Sequence, residues 1–383
     1  MKGNTQLRQE SLKKVLTEIR LKGPVSKREL QRITGFSWGN ISSIITMLCD
    51  KGFIVPAGKQ DTGVGRKPEE FDINTEDNYI IGVDFNCAYV MATVCDLRGR
   101  IIASFKNEFG NAVETEEAIE TLYKTVFPAV EFCGDKTLNY IAVAMQGDVD
   151  AINGVSVELT PIKGWKNIPV CQMLKDKFKI ETIMFHDPDC VLYAERYFGV
   201  LGDLNIKNAV EVIFAHGMGM GALLENRIYR GNKGKSCEIK DLVVPSKNDD
   251  GYSGLSDIME SSESFIESYR RITGCSVTAD ELGALARKGD AAALGVFTEA
   301  VKALSFALVN VYHLFNPDKI VLFGEFQKYS DLIVSCIEAL VKEITKNNFS
   351  AAIELSTLDN TATAVGASLF AADRVIAQLF FER

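Results

Sequence analysis

The chain has 383 residues, of which 46% are hydrophobic and 24% charged, and its net charge is −9. That length allows two or three domains, the composition is that of a soluble globular protein, and no apolar run approaches the ~18 residues of a membrane span. The opening MKGNTQLRQESLKK lacks the apolar centre of a signal peptide. Nine scattered cysteines with no Cys-x-x-Cys pair exclude a disulfide framework and a Cys-rich zinc site. The expectation is a cytoplasmic protein with no membrane partner.

The charge is unevenly spread. Residues 1–74 hold 13 Lys/Arg against 8 Asp/Glu, a net of +5, while the other 309 hold 29 against 43, a net of −14. A basic head on an acidic body points to a polyanion met by the head alone. In the head, Leu12, Val15, Leu16 and Ile19 recur at helical spacing, and Gly23-Pro24 ends that helix. Ser26-Lys27-Arg28-Glu29 reads as a capping box opening a short second helix, with Leu30 and Ile33 inward and Gly35 at the turn. Ser37 caps a third helix whose inner face is Ile41, Ile44, Ile45 and Leu48. Its opposite face is small and polar: Gly39, Ser43 and Thr46 point outward, with Asn40 and Ser42 on the flanks. Trp38 is expected at the buried edge.

Phe53-Ile54-Val55 can pair with Phe71-Asp72-Ile73 across a glycine-rich basic loop. Three helices and a two-stranded wing predict a winged helix-turn-helix that reads a double-stranded DNA operator. The third helix lies in the major groove, and Arg66 and Lys67 of the wing reach phosphates or the minor groove. The candidate DNA contacts are Lys27, Arg28, Ser37, Gly39, Asn40, Ser42, Ser43, Arg66 and Lys67. A small helical domain that binds protein is the alternative for the same residues.

After a polar linker at 74–78, strand and helix signals alternate, as in an α/β domain. A weak internal repeat is visible. Its first copy runs from the strand ending at Asp84 through Tyr89–Cys95 and a turn at 96–99 to Arg100–Phe105. Its second runs from Val210–Ala215 through the turn HGMGMG (216–221) and Ala222–Leu224 to Ile228-Tyr229. Two hairpin-bearing lobes, each aiming a loop at a cleft, describe the duplicated architecture of actin and the sugar kinases.

The phrases GPVSKREL, TGFSWGNISSIITMLCDKGFIV and GRKPEEFDIN, followed by HDPDCVLYAERYFG and GMGMG…YRGNKGKSCEIKD, resemble the ROK family (repressor, open reading frame, kinase) along nearly the whole chain. The likeness is to its repressor branch, of the xylose- and N-acetylglucosamine-repressor type. The resemblance implies a sugar cleft in which Asp187 is the counterpart of the catalytic base and Glu238 of a sugar-contacting Glu. His186 stands where the family has Asn, and it is equally readable as a strand-end histidine. Asp187, in Asp-Pro-Asp-Cys, is equally readable as a helix N-cap followed by Pro188. Asp241 replaces a histidine that contacts sugar and metal, and Asp257 stands at a second sugar-contacting Glu.

Other departures bear on catalysis and metal. ROK kinases follow the first-strand Asp with Gly-Gly-Thr, where this chain has Phe85, Asn86 and Cys87, expected to crowd ATP phosphates. His216 replaces a Thr, and Gly324-Glu325 replaces the adenosine-side Gly-Gly. Asn248, Asp250 and Leu255 stand at the zinc-binding cysteine positions, so neither metal nor cofactor is expected.

The reading is therefore an N-terminal winged helix-turn-helix over residues 1–74 and a two-lobed actin-like, sugar-kinase (ribonuclease H-like) α/β body. The first lobe covers 79–200, completed by a C-terminal helix at about 362–383, and the second covers 201–361. The expected function is a DNA-binding transcriptional regulator, a repressor, that is a homodimer or dimer of dimers and responds to a small-molecule sugar effector, a saccharide or sugar derivative bound in the interlobe cleft, with kinase activity lost. The alternatives are a sugar kinase with a fused DNA-binding head and a regulator controlled by a protein partner.

Overall fold

The computed structural model describes residues 2–59, 68–76, 78–110, 113–203, 205–234, 236–245 and 251–378. Arg66, Lys67, Asn248 and Asp250 lie outside the described residues.

The head comprises α1 (Lys2–Lys22), β1 (Val25–Ser26), α2 (Lys27–Thr34), α3 (Trp38–Asp50), β2 (Ile54–Lys59) and β3 (Glu69–Ile73). The Ser26–Glu29 capping box forms, Gly35 adopts a left-handed φ of 74°, and Ser37 Oγ accepts from Asn40 N at 3.3 Å. Ile41, Ile44, Ile45 and Leu48 are buried, each worth roughly 1.5–3 kcal/mol, and hold α3 in the head. Two expectations need correction. Ile33 is only half-buried and Thr34 closes the inner face of α2, while Trp38 is 53% exposed. The wing also has a third strand: β1 pairs with β3, giving the order β1-β3-β2.

The first lobe runs through β4 (Asn78–Phe85), β5 (Tyr89–Asp96), β6 (Ile101–Glu108), α4 (Thr115–Cys133), β7 (Thr137–Met145), β8 (Asp148–Asp150), β9 (Val155–Glu158), β10 (Lys166–Ile168), α5 (Val170–Phe178), β11 (Thr182–His186) and α6 (Asp187–Phe198). The second runs through β12 (Ala209–Phe214), β13 (Met218–Leu224), β14 (Arg227–Ile228), β15 (Val243–Pro245), β16 (Tyr252–Gly254), α7 (Ser262–Thr273), α8 (Ala279–Arg287), α9 (Ala291–Phe315), β17 (Lys319–Gly324), α10 (Ser330–Ile344) and β18 (Ala352–Leu355), followed by α11 (Ala362–Gln378).

The two main sheets repeat one plan. Their orders are β6-β5-β4-β7-β11 and β14-β13-β12-β17-β18, in which a three-stranded antiparallel meander is extended by two strands parallel to its first. The repeat seen in sequence is thus a repeat of topology. The glycine-rich stretch needs correction: Met218 to Gly221 belong to β13, paired with β12 from Phe214↔Met218 onward, so the turn is only Ala215-His216-Gly217.

Helix α6 lies between the lobes. Val191 and Ala194 pack with Ile213 and Phe323 of the second sheet, and Leu192 packs with Leu223 and Val321, while α11 packs on α6, β4 and β7. Helix α9 is long and apolar enough to cross a membrane by length and composition, but Ala300, Leu304, Ala307, Leu308 and Val311 bury it in the second-lobe core. The head rests on the first lobe. Arg98, in the β5–β6 turn, pairs with Asp72 of β3 and donates to the Arg20 carbonyl at 2.9 Å.

Candidate functional site

The lobes enclose a cleft of about 830 Å³. Strand pairing brings its residues together. Parallel β4, β7 and β11 end side by side, delivering Asp84, Gln146 and His186-Asp187, and the β12–β13 turn faces them with His216 and Gly217.

At the end of β4, Asp84 is buried with 3% exposure, and Asn86 Nδ2 donates to its Oδ2 at 3.3 Å. Burial raises its carboxyl to about 7 against the opposing hydrogen bonds from Tyr89 and Asn86. Asn86 Oδ1 accepts from the N–H groups of Ala88 and Tyr89 at 2.9 and 3.0 Å, which shapes the turn. Phe85 does not crowd a phosphate position. Successive strand residues face opposite sides, so its side chain is fully buried in the first-lobe core, 5.0 Å from Trp165 and 5.8 Å from Phe109 between ring centres.

The two loops are instead tied across the cleft by Gln146. Its Oε1 accepts from Cys87 N at 2.8 Å and its Nε2 donates to His216 O at 3.2 Å. The Cys87 thiol donates to the same carbonyl at 3.4 Å. The N–H groups of the first loop, at Asn86, Cys87, Ala88 and Tyr89, are therefore all engaged within the chain. The glycines of the second loop have a packing reason: a Cβ on Gly217 would lie 2.7 Å from Gln146 Nε2, and one on Gly219 2.8 Å from Pro188 Cγ. At the far end, Ser262 of α7 donates to the Glu325 carboxylate, whose pKa is raised to about 7 by burial and by Glu263.

The other side of the cleft carries His186, Asp187 and Glu238. Asp187 is the first helical residue of α6, with His186 in the cap position and no side-chain capping bond, so the cap reading of Asp187 does not hold. His186 Nε2 lies 3.6 Å from Asp187 Oδ1. Burial, with Asp84 and Glu238 nearby, holds the Asp187 carboxyl well above the usual carboxylate range, and burial with Lys240 lowers the His186 imidazole. Glu238 is half-buried, 3.7 Å from Lys240 Nζ, and its pKa is raised by burial.

His186, Asp187 and Glu238 line the cleft; Asp241 and Asp257 do not. Both are exposed, and Asp257 Oδ2 instead accepts from Gly254 N at 2.7 Å, which stabilises its own short turn. The described lining holds eight Asp/Glu side chains against three lysines, Lys106, Lys240 and Lys328. Sequence reasoning missed Gln146 and Ser262. Gln146 carried one signal, a lone amide where the apolar strand Tyr140–Met145 ends at Gly147.

On the head, Ser37, Gly39 and Ser43 are exposed along α3, Asn40 and Ser42 are half-exposed, Arg28 is exposed and Lys27 is half-buried. Lys27 Nζ lies 5.3 Å from the Phe71 ring centre, against the wing.

The fold is thus a winged helix-turn-helix joined to a two-lobed, mixed α/β, sugar-kinase-like body. Residues 80–374 match the ROK family and residues 8–55 match a winged helix-turn-helix DNA-binding family. The chain belongs to the ROK family. It is 23% identical over 374 residues to the xylose repressor of Bacillus spizizenii, covering 95% of each chain. It is 23% identical over 334 residues to the N-acetylglucosamine repressor of Escherichia coli, covering 83% of this chain and 81% of that one. Among solved structures, a ROK family transcriptional regulator, homolog of the E. coli MLC protein, superposes with a TM-score of 0.79 at 19% identity, covering 98% of both chains. A ROK glucokinase from Streptomyces griseus superposes with a TM-score of 0.64 at 20% identity, covering 76% of this chain and 98% of that one.

Proposed function

We propose that this chain is a cytoplasmic transcriptional repressor, a homodimer or dimer of dimers, whose operator affinity is set by an unphosphorylated saccharide or sugar derivative in the interlobe cleft. It does not transfer phosphate. The observation that carries this reading is the Gln146 tie between Cys87 N and His216 O, at the edge where a sugar kinase holds nucleotide phosphates, in a chain that also has a winged helix-turn-helix. Phosphoryl transfer depends on positioning and charge stabilisation, and a first loop whose N–H groups at Asn86, Cys87, Ala88 and Tyr89 are already bonded supplies neither.

Relatives at 23% identity named xylose repressor and N-acetylglucosamine repressor support the regulator reading. The excess of carboxylates over lysines in the lining disfavours a phosphorylated effector. Asp187 and Glu238 accept hydroxyl hydrogen bonds, with His186 beside them. Operator and effector weaken each other by the same factor, as linkage requires. No zinc or other cofactor takes part.

The test is operator mobility shift paired with thermal-shift screening against neutral sugars and their phosphates. The expected result is a neutral sugar that raises the melting temperature and releases DNA. Sugar-dependent ADP release that disappears in Asp187→Asn overturns the reading in favour of a kinase with a DNA-binding head. The exposed positions of Asp241 and Asp257 favour a second reading, a regulator governed by a protein partner.

A further inference from the structure

A continuous chain of ionic and stacking contacts runs from the second lobe to the head. Arg230, just beyond β14, donates Nε to Asp189 Oδ2 at 2.9 Å, next to the ligand-side end of α6. Its guanidinium carbon lies 4.9 Å from the Phe370 ring centre on α11 and 5.5 Å from that of Phe185 on β11. Those two rings stack at 4.8 Å, and Phe370 stacks again on Tyr193 at 4.0 Å with 3° between the planes. The Tyr193 hydroxyl donates to Asp373 Oδ2, and Asp373 Oδ1 accepts from Arg20 Nη1 at 2.5 Å. Arg20 belongs to α1, the first helix of the head, and its guanidinium also sits 5.5 Å from the Tyr197 ring centre.

Each end of this chain rests on a buried charge. The Arg230 side chain is 44% exposed but that of Asp189 is only 11% exposed, so a shift of the second lobe that draws Arg230 away strands a buried carboxylate. Arg20 is 3% exposed, and its Nε and Nη2 meet no acceptor among the described residues. A buried charge satisfied on one side only is costly, so the docked head depends strongly on Asp373. Between the ends the contacts are ring faces at stacking distance, whose energy depends on their offset. The helix that carries Asp187 at the cleft presents Tyr193 and Tyr197 to the head junction, roughly 15 Å further along at 1.5 Å per residue.

We propose that this chain transmits the state of the cleft to the DNA-binding head. Arg230 follows the position of the second lobe, and Arg20 holds the head against the body only while Phe370, Tyr193 and Asp373 stay in register. The proposal rests on the regulator reading above, but its test needs neither effector nor operator, so the two can fail separately.

The measurement is hydrogen exchange of the α1 backbone over residues 11–22 in the full chain, for Arg230→Gln, Tyr193→Phe and the double variant. Arg287→Gln, which breaks an exposed ion pair between α8 and Asp331 of α10 with no member in the Arg230–Arg20 chain, is the control. Tyr193→Phe keeps the ring stack and removes only the hydroxyl link. Each single variant is expected to speed α1 exchange about three- to tenfold, and the double variant by less than the product of the two. Exchange in Arg230→Gln equal to the control, or a double variant that is simply multiplicative, overturns the proposal.

Discussion

On α3 the outward residues Gly39, Ser43 and Thr46 are exposed within a head of net charge +5, whereas at the β4–β5 loop of the cleft the N–H groups of Asn86, Cys87, Ala88 and Tyr89 are all bonded within the chain. One region presents a free polar face in a positive field. The other retains a kinase-like loop layout but satisfies its polar groups internally. The contrast teaches that a phosphate site is defined by unengaged donors at the right place rather than by a loop's glycines. Here Gly217 and Gly219 serve close packing against Gln146 and Pro188.

The largest expected effect tests the closed edge. With ATP, magnesium and a panel of hexoses, ADP release should stay at background, orders of magnitude below the roughly 1–100 s⁻¹ of a kinase. Gln146→Ala releases the Cys87 N–H and should strengthen binding of a non-hydrolysable ATP analogue about tenfold by calorimetry, about 1.4 kcal/mol. Equal affinities would move the obstacle to Glu325. On the head, Ser43→Glu adds a negative charge to an exposed position, so operator affinity should fall roughly a hundredfold at an unchanged melting temperature. Arg66→Ala should cost about tenfold and reduce the salt slope by about one.

The saccharide side should respond more mildly. Asp187→Asn should weaken the effector roughly ten- to a hundredfold, since a hydrogen bond to a charged group contributes about 1.5–3 kcal/mol. Operator affinity without effector should stay unchanged. Because the Asp187 pKa is raised, wild-type effector binding should strengthen as pH rises and its carboxyl ionises. Unchanged binding in both Asp187→Asn and Glu238→Gln would favour the protein-partner reading.

A separate effect is on stability against pH. Folded Asp84 keeps its proton to about 7, while in the unfolded chain it releases the proton near the ordinary 3.8. Its stabilising contribution is full below 3.8 and is lost as pH rises through 7. The change is on the order of 4 kcal/mol. Asp84→Asn should flatten that decline in denaturant melts between pH 4 and 8, and an identical slope in the variant would assign the titration to another group.

Much of the head was legible because its signals are local. The Ser26–Glu29 box, the Gly35 turn and the Ile41, Ile44, Ile45 and Leu48 stripe each act within a few residues, and each appears where the sequence indicates. Trp38 was misread because the helical wheel ranks positions without knowing which neighbours reach them. β1 was missed because two residues carry no period.

By itself the sequence determined the helix starts and stops of the head, the duplicated hairpins of the body and the chemical types at the cleft, because caps, turns and strand periods are set by nearby residues. Only the tertiary structure decided what those residues do together. It turned Phe85 into the core, tied Cys87 to His216 through Gln146 and left Asp241 and Asp257 outside the cleft. The physical reason is distance along the chain. Gln146 and His216 are 70 residues apart and Arg20 and Asp373 are 353 apart, and no local propensity encodes a contact that exists only after the lobes have packed.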